Sequence, residues 1–338
     1  MTLIAQRFDE VTAVAPGRVV LIGDHTDYTG GLCMPMAIDL ATTISGTTGG
    51  RRVRLESADE PLAADVAIDL SDPTVLEPFW SRYVGGVVAQ MRPQHGLIGR
   101  VTTTIPIGAG LSSSAAFEVA LALALGFDGS PLQLAQLCRE AEQRASGVPC
   151  GILDQLSSAA GRAGHVMVLD CHALTIEYEP MSSDVEVVVI HSGQERTLAG
   201  SGYAERVLQC LAVEARIGPL RLATLAQVAS LDDPLLARRA HHVVTENQRV
   251  RDFAAALRMG DHKAAGDLMV ESHQSLRNDY ETSTPIVDAL VSHLIATTGV
   301  FGARITGGGF GGCVVALTEP GALDNGWHVR PADGARLL

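Results

Sequence analysis

Aromatic residues make up only 4% of this chain and charged residues 19%, against 46% hydrophobic ones. The charge that is present leans one way, with 25 Lys+Arg against 38 Asp+Glu and a formal net charge of −13. A chain short of basic residues is poorly suited to a phosphate backbone, which is gripped by Lys/Arg patches, so nucleic acid is not an expected partner. A small anionic ligand stays open, because it needs only a local site. The longest strongly apolar run, Val119 to Phe127, falls well short of the ~20 residues that span a bilayer, so no membrane contact is expected. Met1 to Asp9 lacks a basic region followed by an apolar stretch and does not read as a signal peptide. The cysteines (Cys33, Cys138, Cys150, Cys171, Cys210 and Cys313) form no Cys-x-x-Cys pair, and the chain is too long to need covalent staples. They are expected to be buried thiols of a cytoplasmic protein, with no zinc site.

What remains is ordinary globular composition over 338 residues, a length that corresponds to about two domains. Neither a tandem repeat nor a low-complexity block is present. Val11, Val14 and Val19 to Ile22 flank Ala15-Pro16-Gly17, which predicts two short strands separated by a turn. Further strands are predicted at Val53–Leu55, Val66–Leu70, Gly99–Ile105, Val185–His191 and Cys313–Leu317. Phe79, Tyr83, Val87 and Met91 recur at steps of four and mark one face of a helix. Helices are also predicted over Ser112–Phe127, opened by serines suited to capping, and over Leu132–Ala145. Helical patterning dominates 200–278, with a break near Asp232-Asp233-Pro234. The fold class is α+β with two domains, 1–180 and 181–338.

The segment Pro106-Ile107-Gly108-Ala109-Gly110-Leu111-Ser112-Ser113-Ser114 joins a predicted strand to a predicted helix. Glycines let backbone turn tightly and approach a ligand, and a helix N-terminus presents unpaired N–H groups. Together they make an anion site. A turn leading into a capped helix accounts for the same residues. No Gly-Lys-Ser/Thr closes the loop, so it is not a Walker A loop, nor is it the dinucleotide G-x-G-x-x-G. Asp24, His25 and Asp27 lie just past a strand end, where carboxylates and an imidazole can hydrogen-bond a polyhydroxylated ligand. A polar turn capped by its own Asp side chains is the plain alternative, and a metal set the weaker one. Asp154 taken alone reads as a helix cap or an ion-pair partner. Arg304 to Cys313 is too glycine-dense for ordinary packing.

The strings themselves carry more than their spacing. Pro-x-Gly-x-Gly-Leu-Ser-Ser-Ser-Ala-Ala at 106–116 resembles the nucleotide-phosphate loop of the GHMP small-molecule kinases. Gly17-Arg18-Val19-x-Leu21-Ile22-Gly23-Asp24-His25-Thr26-Asp27-Tyr28 resembles the signature of the galactokinase family within them. Asp24 stands where that family usually has Glu, and Val20 where it usually has Asn. Cys150-Gly151-Ile152-x-Asp154-Gln155 is similar to the stretch bearing the family's catalytic aspartate, and Glu142 matches its Mg²⁺-binding glutamate. Leu198 to Tyr203 is similar to the segment whose tyrosine meets the sugar, and Arg304 to Cys313 to the third GHMP motif. Glu271 to Tyr280 also looks like the family, in a structural role.

The resemblance implies a two-domain GHMP kinase fold with the active site in the cleft between the domains. It implies ATP and Mg²⁺, and transfer of the γ-phosphoryl group to the anomeric hydroxyl of galactose or a related sugar. Gly108, Ala109, Gly110, Leu111, Ser112, Ser113 and Ser114 would hold the triphosphate, with Ser114 and Glu142 on the metal. Asp154 would take the sugar proton, and Arg18 would act on Asp154 or on the phosphoryl group. Asp24, His25, Thr26, Asp27 and Tyr203 would read the sugar. A kinase for N-acetylgalactosamine, galacturonate or arabinose is the neighbouring possibility, and a non-catalytic sugar sensor a more distant one. The intact Ser113-Ser114-Ala115, Asp154 and Arg18 favour an enzyme, as monomer or homodimer. The region after Leu317 is short for the family, which predicts a second-domain edge left exposed or covered by a dimer partner.

Overall fold

The computed structural model describes residues 9–194 and 202–338. In chain order the elements are β1 (Glu10–Ile22), β2 (Leu32–Thr48), β3 (Arg52–Ser57), β4 (Ala64–Ala67), α1 (Ser81–Met91), β5 (Leu97–Thr103), α2 (Ser113–Ala124), α3 (Pro131–Ser146), α4 (Leu153–Ala160), β6 (His165–Asp170) and β7 (Thr175–Pro180). Then follow β8 (Glu186–His191), α5 (Gly202–Ile217), α6 (Leu225–Ala229), α7 (Pro234–Met259), α8 (His262–Asn278), α9 (Pro285–Ile295), β9 (Val300–Ile305), β10 (Cys313–Thr318), β11 (Trp327–Val329) and β12 (Arg336–Leu337).

Helix boundaries follow local chemistry. Ser130 and Gln133 form a reciprocal capping box at the start of α3, Pro131 occupies its first turn, and Gly147 ends it in the left-handed conformation. The break expected near Asp232-Asp233-Pro234 is the start of α7, where the Asp233 carboxylate accepts from the Leu235 and Leu236 amides.

A first sheet has the order β12-β1-β2-β5-β3-β4, with β6 and β7 attached to β2. β3 and β5 run parallel, and the other pairs are antiparallel. A second, antiparallel sheet has the order β11-β8-β10-β9. β7 belongs to the first sheet and β8 to the second, and the last residues cross back so that β12 pairs with β1. β11 lies along Val187–Val189 of β8, so the chain's own C-terminal region covers that stretch of the strand.

The two strands expected over 11–22 are one. Pro16 sits inside β1, and the turn signal marks a register shift between Pro16 and Arg18 in the pairing with β2. Such a bulge re-aims the side chains beyond it. After it, Val19 to Ile22 are fully enclosed, because the end of β1 packs against α2 and α4 on one side and α7 and α8 on the other. One apolar core runs from Val19, Leu21 and Val119 through Phe253 and Met269 to Val187 and Val315, uniting both sheets. A second lies between the second sheet and α5, α7 and α9. No helix among the described residues is long and apolar enough to cross a membrane. The described cysteines are free, and Cys150 and Cys171 are only partly covered, unlike the uniformly buried set expected.

Candidate active site

The bulge in β1 sends Arg18 into a cavity of about 600 Å³ that opens against the start of α2. Here the guanidinium and Asp154 form a two-pronged pair: Nε donates to Oδ1 at 2.7 Å and Nη2 to Oδ2 at 2.8 Å. Nη1 donates to the Gly110 carbonyl at 2.6 Å, and the Arg18 amide to the Leu111 carbonyl at 3.2 Å. Arg18 therefore ties the aspartate on the first turn of α4 to the glycine loop before α2.

In that loop Gly108 and Gly110 have φ of 76° and 80°, which an L side chain rarely adopts. Ser112 follows at φ 59°, a conformation that costs a non-glycine residue about 1–3 kcal/mol. It occupies the N-cap position of α2 but does not cap it. Its hydroxyl donates instead to Asp154 Oδ2 at 2.6 Å. The serines expected to cap the helix thus leave its first amides without a side-chain partner, beside a cavity that Ser112, Ser113 and Ser114 line. This is the arrangement that receives phosphate oxygens. Ala109 and Leu111 are buried and do not line the cavity; they contribute backbone.

Ser114 Oγ donates to Glu142 Oε1 at 3.0 Å, and the Gln155 amide nitrogen donates to Glu142 Oε2 at 2.5 Å. Burial, with the Asp154 charge added, raises the Glu142 carboxyl above its ordinary range. A carboxylate with a hydroxyl beside it is the hard-oxygen pair that Mg²⁺ accepts when substrate phosphates complete its shell. Among the described residues no group of three or more His, Cys, Asp or Glu side chains is arranged to hold a metal, so Asp24, His25 and Asp27 do not converge as ligands.

Asp24, His25, Asp27 and Tyr203 form a polar wall of the same cavity. Burial pushes the Asp27 carboxyl up to about 7, helped by the Asp154 charge. A Cβ at Gly151 would lie 1.8 Å from Asp27 Oδ2, so a side chain there has to push that carboxylate aside. Tyr203 opens α5, with its ring centroid 5.6 Å from both His25 and Tyr28, and burial keeps its phenol neutral. Leu198 to Ser201, expected beside it, lie outside the described residues. Thr26 is not brought to the cavity. It is fully buried, and its hydroxyl is engaged with the Gly23 and Leu32 carbonyls, closing the turn.

Asp24 reaches further than its motif. Oδ2 lies 2.8 Å from Nη2 of Arg304, and Oδ1 accepts from the Gly307 amide at 3.1 Å. Burial raises its pKa to about 6 against the pull of Arg304. Thr306 Oγ1 bonds both backbone groups of Val20, so the third glycine motif is stitched to the end of β1. Behind it, Glu246 on α7 accepts from the Gly23 amide at 2.9 Å, Ser272 at 2.6 Å and Arg249 at 2.7 Å. Burial opposes its charge, yet Arg249, His242 and Arg304 bring it down to about 2. Sequence reading assigned no role to Glu246 or to the Arg304 side chain. Arg304 stood inside a recognised motif and was traceable. Glu246 sits in a long helix with nothing local to mark it.

Phe79, Trp80, Tyr83, Phe117 and Ile107 add an apolar stretch to the lining, which also carries Ser57, Asp59 and Glu60. The periodicity of Phe79 and Tyr83 marked a helix face but gave no sign that it borders a site.

Residues 82–162 match the GHMP kinases N terminal domain and 253–329 the GHMP kinases C terminal domain. Mevalonate kinase shares the fold, with a TM-score of 0.68 at 19% identity over 94% of this chain and 98% of that one. Residues 5–48 match the galactokinase galactose-binding signature. Galactokinases of Bos taurus and Homo sapiens are each 41% identical over 97% of this chain and 92% of theirs. The crystal structure of Lactococcus lactis galactokinase complexed with galactose superposes with a TM-score of 0.90 at 28% identity, covering 97% of this chain and 95% of that one. The chain belongs to the galactokinase family, whose members are ATP-dependent sugar kinases.

Proposed function

We propose that this chain transfers the γ-phosphoryl group of ATP to the anomeric hydroxyl of α-D-galactose. The observation that carries this reading is the 2.6 Å contact between Ser112 and Asp154, which joins the phosphate-binding helix start to the carboxylate facing the sugar wall. Phosphoryl transfer needs mainly positioning and charge stabilisation, and a phosphate site sharing a cavity with a carboxylate supplies both.

In this reading the adenine lies along Phe79, Trp80, Tyr83 and Phe117, and the triphosphate along the Gly108–Ser114 backbone. Asp27, His25, Asp24 and Tyr203 hold the sugar hydroxyls. Asp154 accepts the proton of the C1 hydroxyl, and Arg18 keeps that carboxylate aligned with the glycine loop. Ser114 and Glu142 would hold Mg²⁺, and the ion, when bound, would offset negative charge on the transferring group. The fit rests on the 3.0 Å hydroxyl–carboxylate pair. The family signature and the galactose bound in the Lactococcus lactis relative support galactose over other sugars.

ADP release from ATP and Mg²⁺ with a panel of galactose, N-acetylgalactosamine, galacturonate, arabinose and glucose tests this directly. The highest kcat/KM is expected with galactose. A higher value with another sugar, or ADP release independent of sugar, contradicts it.

Gly151→Ala offers a local check. The new methyl group displaces the Asp27 carboxylate, and a lost charged hydrogen bond corresponds to about a 10- to 100-fold rise in galactose KM. ATP KM should stay within about twofold. Equal rises in both would remove Asp27 from the sugar wall.

A further inference from the structure

The segment joining β1 to β2 carries Asp24, His25 and Asp27, and both of its ends rest on α7, a helix far along the chain. At its head, Glu246 Oε1 accepts from the Gly23 amide at 2.9 Å. At its tail, Oδ1 of Asn247, the next residue of the helix, accepts from the Leu32 amide at 2.7 Å. Both side chains are buried. Glu246 is held in turn by Ser272 at 2.6 Å and Arg249 at 2.7 Å, and Asn247 by its own donation to the Val243 carbonyl at 2.9 Å. Glycine at each end lets the segment lie this close. A Cβ at Gly23 would lie 2.9 Å from Val250 Cγ2 on α7, and one at Gly31 would lie 2.5 Å from Asn247 Oδ1.

We propose that Glu246 and Asn247 are positioning residues that clamp the sugar-binding segment at its two ends and so set where Asp24 and Asp27 meet the sugar. Among the described residues, none from α7 lines the cavity, so the clamp acts through the backbone of the segment. The segment needs an external hold. Burial and the charges of Asp154 and Asp24 all oppose ionisation of Asp27, and like charges enclosed together favour a segment that opens toward water. Thr26 does not supply that hold. Its hydroxyl bonds the Gly23 and Leu32 carbonyls, which ties the two ends to each other, and a turn closed on itself can still move as a unit. Glu246 and Asn247 take the amides of the same two residues and fix them to a helix. The glycine loop is held separately, by Arg18 through the Gly110 and Leu111 carbonyls. Loosening either end of the clamp therefore weakens sugar binding and leaves the nucleotide side as it is.

Amide hydrogen exchange and steady-state kinetics on the full chain test this. Glu246→Met keeps most of the side-chain volume and offers no acceptor oxygen, and Asn247→Ala removes the acceptor at the other end. Exchange of the Gly23 amide should rise by about 3- to 10-fold in the first variant, and that of the Leu32 amide by as much in the second. Each variant should raise galactose KM by about 3- to 10-fold, with ATP KM within about twofold. A residue that served stability alone would lower kcat through the fraction folded and leave both KM values where they are. Gln248→Ala, at the next position on α7, removes an exposed side chain bonded to Asp252 and should match wild type in both measurements. An unchanged galactose KM in either variant that folds overturns the proposal. So does an equal rise in both KM values, or exchange at Gly23 and Leu32 that stays at the wild-type rate. If Glu246→Met does not fold, Asn247→Ala carries the same test. The kinetic arm rests on the galactose reading and the exchange arm does not, so failure of either can be told apart.

Discussion

Asp154→Asn should lower kcat by about 10²-fold or more, with little change in either KM. The amide keeps the shape of the carboxylate and one acceptor for the Arg18 fork, but it cannot take the C1 hydroxyl proton. Some loss of stability is expected as well, because Arg18, only 5% exposed, loses its charged partner. Pre-steady-state phosphoryl transfer with galactose, beside a melting curve, separates chemistry from stability. A kcat within about threefold of wild type would remove Asp154 from the role of base. The expected split, with kcat lost and KM kept, is that of an interaction made mainly in the transition state.

Arg304→Met should be the most damaging single change to stability outside the apolar core. Arg304 is fully buried, 2.8 Å from Asp24 and 4.0 Å from Glu246. Removing the shared cation leaves Asp24 enclosed without its partner, and breaking a buried pair from one side costs about 3–5 kcal/mol. Urea unfolding with a constant m-value reads that loss. Asp24→Asn in the Arg304→Met background removes the stranded charge and should recover part of it, so the two changes are not additive. A loss under about 1 kcal/mol would mean the pair contributes little beyond packing. Because Asp24 also anchors the Gly307 amide, the single variant should loosen the third glycine motif against the sugar loop.

The parts of this site that were legible in the sequence are the parts built from contiguous residues. The glycine loop with its serines, the run from Arg18 to Tyr28, and Cys150 to Gln155 each carry their chemistry in one short string. Local strings also bounded the helices, as Ser130-Pro131 and Asp233-Pro234 show. What stayed hidden depends on contacts between distant residues. Pro16 signalled a turn, but pairing with β2 absorbed it as a bulge in one strand. β2 itself, from Leu32 to Thr48, has no strict alternation, because strands and helices surround much of it. Ser112 looked like a helix cap until Asp154, distant in sequence, claimed its hydroxyl. Thr26 sat among residues expected to face the sugar yet turns inward to hold its own loop. Glu246 holds the Gly23 amide and the Ser272 hydroxyl on other elements, which no local pattern encodes.

The most direct measurement is the position of the phosphate on the sugar. ³¹P and ¹H NMR of the product from ATP, Mg²⁺ and galactose should show the new phosphorus coupled to the anomeric proton of the α form. Coupling to any other sugar proton, or inorganic phosphate as the sole new signal, would contradict a cavity in which Asp154 and the Ser112–Ser114 helix start meet at the C1 oxygen.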